Sequence, residues 1–254
     1  MKIVAIANQK GGVGKTTTSI NLAAYLAKKG YKTLLIDMDP QGNCSSGIGV
    51  ETPPNANIYH ALTNSVNILD VIIPTPVENL FIAPSNMDLA GIEIELAQTG
   101  HSFKELRNQV HQEALMQYYD FCIIDTSPSL GILMTNALAC SDEVLIPLQC
   151  EWFGLEGLTK IIQIIKKVQQ QDNAFITKLG GIILTMYDSR TNLANQVKAE
   201  IQKYFPNECY KTFIPRNIKL SEAPSYGQCI FDYQSYSVGA KKYAELAEEF
   251  LKRQ

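Results

Sequence analysis

Short, continuously apolar runs alternate with longer stretches of helical period along almost the whole chain. Positions 3–7, 33–37, 80–82, 121–125, 144–148 and 181–185 are apolar at nearly every residue and too short for helices, the pattern of strands covered on both faces. Between them, 18–29 places Ile20, Leu22, Ala23, Leu26 and Ala27 on one helical stripe and stops at Gly30. Positions 132–140, 158–171, 193–204 and 237–252 predict further helices, the last amphipathic. Asn57 is placed to cap a short helix over 58–62, and 85–118 predicts one or two helices joined near Gly100. The Ser-, Gly-, Pro- and Asn-rich stretch 44–57 predicts a surface loop, and 210–213 a late strand. This alternation predicts an α/β fold: a mostly parallel sheet with helices on both faces, formed by 1–254 as a single domain.

Composition narrows the setting. No run approaches the ~18 apolar residues of a membrane span. A strand beginning at residue 3 leaves no room for a signal peptide. The six cysteines, Cys44, Cys122, Cys140, Cys150, Cys209 and Cys229, form no CxxC pair, which predicts reduced thiols, no zinc site and a cytoplasmic protein. His101 and His111 have no acidic or thiol partner at metal-ligand spacing and are expected on the surface. Net charge is −3, yet 160–220 holds ten basic and four acidic side chains, so a basic face can stand on an acidic protein.

The chemistry is concentrated after the first strand, in Gln9-Lys10-Gly11-Gly12-Val13-Gly14-Lys15-Thr16-Thr17. Glycines between a strand and a helix let several N–H groups turn into one hollow, and the helix N-terminus adds positive potential. Lys15 supplies a full charge for β- and γ-phosphates, and the Thr16 hydroxyl suits Mg²⁺. The segment departs from the common phosphate loop: Gln9 occupies the first glycine position and a second lysine, Lys10, opens the loop. Two more strands end in acid, at Asp37 with Asp39 just beyond it, and at Asp125, where a ligand crevice is expected.

The run Lys-Gly-Gly-x-Gly-Lys-Thr-Thr resembles the deviant phosphate loop of the ParA/MinD/nitrogenase iron-protein superfamily. Asp-x-Asp-Pro-Gln-Gly-Asn at 37–43, Thr-Ser-Pro-Ser-Leu at 126–130, Glu-Trp-Phe-Gly-Leu-Glu-Gly-Leu at 151–158 and Pro-Arg-Asn … Glu-Ala-Pro-Ser-x-Gly at 215–227 resemble ParA/Soj-type partition ATPases in particular. The resemblance implies ATP hydrolysis with Mg²⁺, an ATP-bound homodimer, binding of DNA without sequence preference, a stimulating ParB-like partner and residence on the nucleoid. It implies nucleotide contacts from Lys10, Gly11, Gly12, Val13, Gly14, Lys15, Thr16, Thr17, Met186, Pro215 and Asn217, with Lys10 reaching the partner copy's nucleotide. Catalytic roles fall to Lys10, Lys15 and Asp39, and Mg²⁺ contacts to Thr16, Asp39 and Asp125, while Asp37 orders its loop. Arg190, Arg216, Lys219, Lys198 and Lys203 are the DNA-phosphate candidates. Ser127 stands where the family has proline, which predicts a looser loop. Trp152 replaces a tyrosine near the expected dimer interface. A MinD-like membrane-cycling protein is the first alternative, but the acidic tail at 243–251 lacks the basic amphipathic helix it needs. A bacterial tyrosine kinase with a tyrosine cluster at Tyr226, Tyr233, Tyr236 and Tyr243 is the second, and a cofactor-insertion or cellulose-synthesis accessory ATPase the third.

Overall fold

The computed structural model describes residues 1–92, 95–96, 103–151, 154–172 and 175–254, with 155 and 156 described by backbone alone. Gly100, His101 and Trp152 lie outside the described residues. Seven strands form one sheet: β1 (Lys2–Ile6), β2 (Thr33–Met38), β3 (Ile73–Pro74), β4 (Leu80–Ala83), β5 (Phe121–Thr126), β6 (Glu143–Gln149) and β7 (Lys178–Thr185). Their order is β3-β4-β2-β5-β1-β6-β7. Every pairing is parallel except β3 with β4, so the expected sheet is mostly parallel with one antiparallel edge.

Period-two alternation divides each strand between two cores. Ile3 and Ala5 join Leu34, Ile36 and Ile124 on one face, where α3 (Ile58–Leu62), α4 (Glu105–Val110), α5 (Glu113–Tyr118), α6 (Ile132–Cys140), α7 (Gly154–Gln171) and α8 (Asn192–Tyr204) pack. Val4 and Ile6 join Leu35, Ile123 and Leu145 on the other, beneath α1 (Lys15–Lys28), α2 (Asn43–Gly47), α9 (Ile218–Glu222), α10 (Ile230–Tyr233) and α11 (Val238–Arg253). Helices therefore cover both faces. α1 ends as predicted: Gly30 takes φ +94°, a left-handed conformation that glycine adopts without strain. Asn57 caps α3 by accepting from Tyr59 N, and Ser237 caps α11 by accepting from Ala240 N.

Three expectations are corrected. The stretch 44–57 is not wholly a surface loop: its start lies in α2, with Cys44, Ser45 and Gly47 buried. The Asp37 carboxylate accepts from both Ser45 N (2.9 Å) and Ser45 Oγ (2.7 Å), and these bonds satisfy the polar groups of α2 inside the protein. No strand forms at 210–213. Lys211 N and Thr212 N donate to the Glu249 carboxylate (both 2.8 Å) instead of to a ladder, leaving only the isolated bridges Ile182–Cys209 and Tyr187–Pro215 along β7. His111 is half-buried rather than on the surface. Its Nε2 lies 3.1 Å from Cys140 O, and burial lowers its pKa. Among the described residues no His/Cys/Asp/Glu group could hold a metal by side-chain clustering of three or more, and all six cysteines are free and buried.

Candidate nucleotide site

Parallel strands bring β1, β2, β5 and β7 to the same edge by their carboxyl ends, and the loops beyond them enclose two joined recesses. The larger, about 520 Å³, is lined by Gly11, Gly12, Gly14, Lys15, Thr16, Thr17, Asp39, Pro40, Gln41, Asn43, Pro128, Ser129 and Met186. The smaller, about 220 Å³, lies among Thr185, Met186, Ile214, Pro215, Arg216, Asn217, Ile218, Leu220, Ser221 and Tyr243. Gly14, Thr17 and Met186 line both. Met186 holds φ +49°, a left-handed conformation unusual for a bulky residue, at the junction of the two.

The loop is pinned from beneath. Asn8 Nδ2 donates to Pro147 O (2.8 Å) and its Oδ1 accepts from Lys10 N (3.0 Å). Thr185 Oγ1 donates to Val13 O (2.7 Å). Gly12 (φ +73°) and Gly14 (φ +89°) have left-handed backbones, and a Cβ at Gly11 or Gly12 would meet nothing within 4 Å, so the loop faces open space. Lys15 is buried, with Nζ 3.3 Å from Lys10 O. Burial lowers its pKa, against the opposing pull of Asp125 and Asp39. Lys10 points away from this cradle, and its ammonium pairs with the Glu151 carboxylate of its own chain.

The acids divide by environment. Thr16 Oγ1 and Ser19 Oγ each donate to a different oxygen of Asp125 (both 2.8 Å). Burial first, and the charge of Asp37 second, push the Asp125 pKa up to about 7, while Ser19, Thr16 and Lys15 hold it down. Asp37, fully buried, is pushed up to about 6 by burial and accepts from Asp39 N (3.1 Å) and Ser45, so it orders the loop as expected. Asp39 reaches the cradle and accepts from Gln41 N (3.0 Å).

These groups fit a nucleoside triphosphate and Mg²⁺. A hydroxyl and carboxylates are the hard oxygen donors Mg²⁺ prefers. Asn217 lines the smaller recess with its Oδ1 buried and without a hydrogen-bond partner, an acceptor open to a donor such as the exocyclic amine of a purine.

The basic candidates separate. Arg190 and Arg216 line one further recess, about 520 Å³, with Tyr187, Asp188, Phe213, Pro215 and Ile218. Lys198 Nζ lies over the Tyr187 and Phe213 rings that wall it (5.5 and 5.0 Å). Lys219 pairs with Glu222 (2.8 Å), and Lys203 lies over Tyr204 (5.2 Å), away from that recess. Sequence reasoning missed Ser19, Ser45, Asn8 and the role of Glu151. Only Ser19 carried a signal, four residues after Lys15 and so on the same helical face. Ser127, in the proline position, is buried with its hydroxyl unpartnered. Tyr243 is core, its hydroxyl 3.1 Å from Thr18 Oγ1.

A family model described as AAA domain matches residues 1–178. The chain is 49% identical to the sporulation initiation inhibitor protein Soj of Bacillus subtilis over 98% of this chain and 97% of that one. It is 48% identical to the chromosome-partitioning ATPase Soj of Treponema pallidum, over 99% and 98%. Among solved structures, cobyrinic acid a,c-diamide synthase of Mycobacterium smegmatis with bound ATP analogue and magnesium superposes with TM-score 0.83 at 32% identity, covering 99% of this chain and 95% of that one.

Proposed function

The chain belongs to the ParA/Soj family of ATP-dependent chromosome and plasmid partitioning ATPases, and from that premise we propose how its residues turn ATP hydrolysis into timed residence on DNA. The observation that carries the reading is Lys10. It opens the phosphate loop yet is directed out of the cradle, onto Glu151, while Lys15 serves the cradle from within. A cation held outside its own site is available to a second copy.

In this reading 1–254 acts as one ATPase unit. Gly11 to Thr17 wrap the phosphates with backbone N–H groups, and Lys15 neutralises their charge. Met186, Pro215 and Asn217 hold the base, the Asn217 Oδ1 accepting from the adenine amine. Thr16, Asp39 and Asp125 would hold Mg²⁺, which would supply charge neutralisation at the phosphate oxygens. Asp39 orients the attacking water. Two copies close face to face, and each Lys10 leaves Glu151 for the phosphates of its partner, adding charge stabilisation where it develops. Turnover is slow until a ParB-like protein improves this geometry.

Closure sets two copies of the Arg190–Arg216 surface side by side, and the dimer grips duplex through phosphates without reading bases. Hydrolysis parts the copies and frees the DNA, so the protein cycles between nucleoid and cytoplasm. The apolar side of α11 (Ala240, Tyr243, Leu246, Ala247, Phe250) is buried, which supports DNA rather than a bilayer as the docking surface. Among the described residues no helix is long and apolar enough to cross a membrane.

Analytical ultracentrifugation and duplex binding with a non-hydrolysable ATP analogue test this. The expected outcome is a dimer that holds duplex only with the analogue. A monomer under saturating analogue, or equal duplex binding without nucleotide, would overturn it.

A further inference from the structure

Asp188 and Arg190 stand two residues apart on the turn leaving β7. Arg190 Nε donates to Asp188 Oδ1 (2.9 Å) and Nη2 to Oδ2 (2.7 Å), while Arg190 N also donates to Oδ1 (3.0 Å). This is the planar two-on-two pairing that arginine makes equally with carboxylate and phosphate. The Arg190 side chain is 87% exposed, so the pair adds little to stability and a competing anion can reach it. Its effect is occupancy: the Nε–Nη2 edge of the guanidinium, one of the edges that can take a phosphate two-on-two, is already engaged.

The surrounding recess makes that occupancy consequential. Arg216 lines the same hollow and has no ion pair among the described residues, so one arginine is masked and one is open. Pro215, Arg216 and Ile218 also wall the smaller recess that fits the base, which joins the two surfaces through shared residues.

We propose that Asp188 is a built-in competitor for duplex phosphate, so that Arg190 offers its Nε–Nη2 edge to a phosphate only by displacing its own carboxylate. The inference rests on the reading of Arg190 as a DNA contact. It gives a physical reason for a lone copy to hold duplex weakly. Each recess starts half neutralised, and the released carboxylate recruits a cation that cancels part of the counterion release driving binding. Two recesses presented together restore the lost affinity.

The test is fluorescence anisotropy with a mixed-sequence duplex and a non-hydrolysable ATP analogue, over a salt series, for wild type, D188N, R190A and the double variant. Asn keeps an oxygen for Arg190 N and so keeps the turn. D188S does the same and serves if D188N melts early. The expected result is that D188N tightens binding by roughly 3- to 10-fold with a steeper salt dependence, R190A weakens it, and the double variant matches R190A. Unchanged or weaker binding by D188N, with R190A still weakened, overturns the masking and leaves the Arg190 contact standing. A double variant that keeps the gain overturns it as a general charge effect. If R190A binds like wild type, the Arg190 contact itself is wrong and the masking falls with it.

Discussion

Asp37 and Asp125 stand opposite each other in the β2–β5 register, and both carboxyls are fully buried. Burial, the largest cause for each, raises both pKa values above the ordinary carboxylate range, to about 6 for Asp37 and about 7 for Asp125, and the charge of Asp37 adds to the rise at Asp125. Folding therefore takes up protons here. The stability this contributes is full below about pH 4 and is lost as pH rises through 6 to 7. In the nucleotide-free protein, D125N should melt above wild type at pH 8, with the gap closing towards pH 5. Thermal melts across that range check it, and a gap independent of pH would refute the buried-pair account.

Lys10→Ala should leave nucleotide affinity within about threefold, because Lys10 is engaged by Glu151 rather than by the cradle, yet abolish analogue-driven dimerisation and lower turnover by roughly 100-fold. Calorimetry and ultracentrifugation on the same preparation separate the two effects.

Asp39→Ala removes the carboxylate proposed to orient water while leaving Lys15, Thr16 and Asp125 in place. ATP should still bind and dimerise the protein, hydrolysis should fall by roughly 100-fold, and the dimer should stay on duplex. Wild-type hydrolysis by this variant would remove Asp39 from the mechanism.

Asn217→Ala deletes a buried, unpartnered acceptor of the smaller recess, proposed to hold the base. KM for ATP should rise by roughly 5- to 30-fold with a smaller change in kcat, and preference for ATP over GTP should fall. Steady-state kinetics with both nucleotides reads this directly.

Gly49→Ala probes the close backbone contact between the residue just past α2 and Gly227. Gly49 has φ +79°, and a Cβ there would lie 2.6 Å from Gly227 O, so backbone must move. The substitution should cost about 2 kcal/mol or more, seen as a lowered Tm.

The sequence by itself determined the frame and the glycine-loop end of the candidate site. Apolar runs buried on both faces have few alternatives to a parallel sheet, and the spacing of Gly11 to Thr17 and of the acids at 37, 39 and 125 follows from where such strands end. It also placed the cap at Asn57, because capping is settled within a few residues. Contacts distant along the chain were decided only by tertiary structure. Ser45 lies inside because a buried Asp37 needs donors, and 210–213 is not a strand because Glu249, on the last helix, takes its N–H groups. The carboxylates at Glu151 and Asp188 changed the meaning of Lys10 and Arg190, which composition had counted simply as positive charge. Charge is a property of a residue, but whether that charge is free to act depends on the neighbour that folding brings to it.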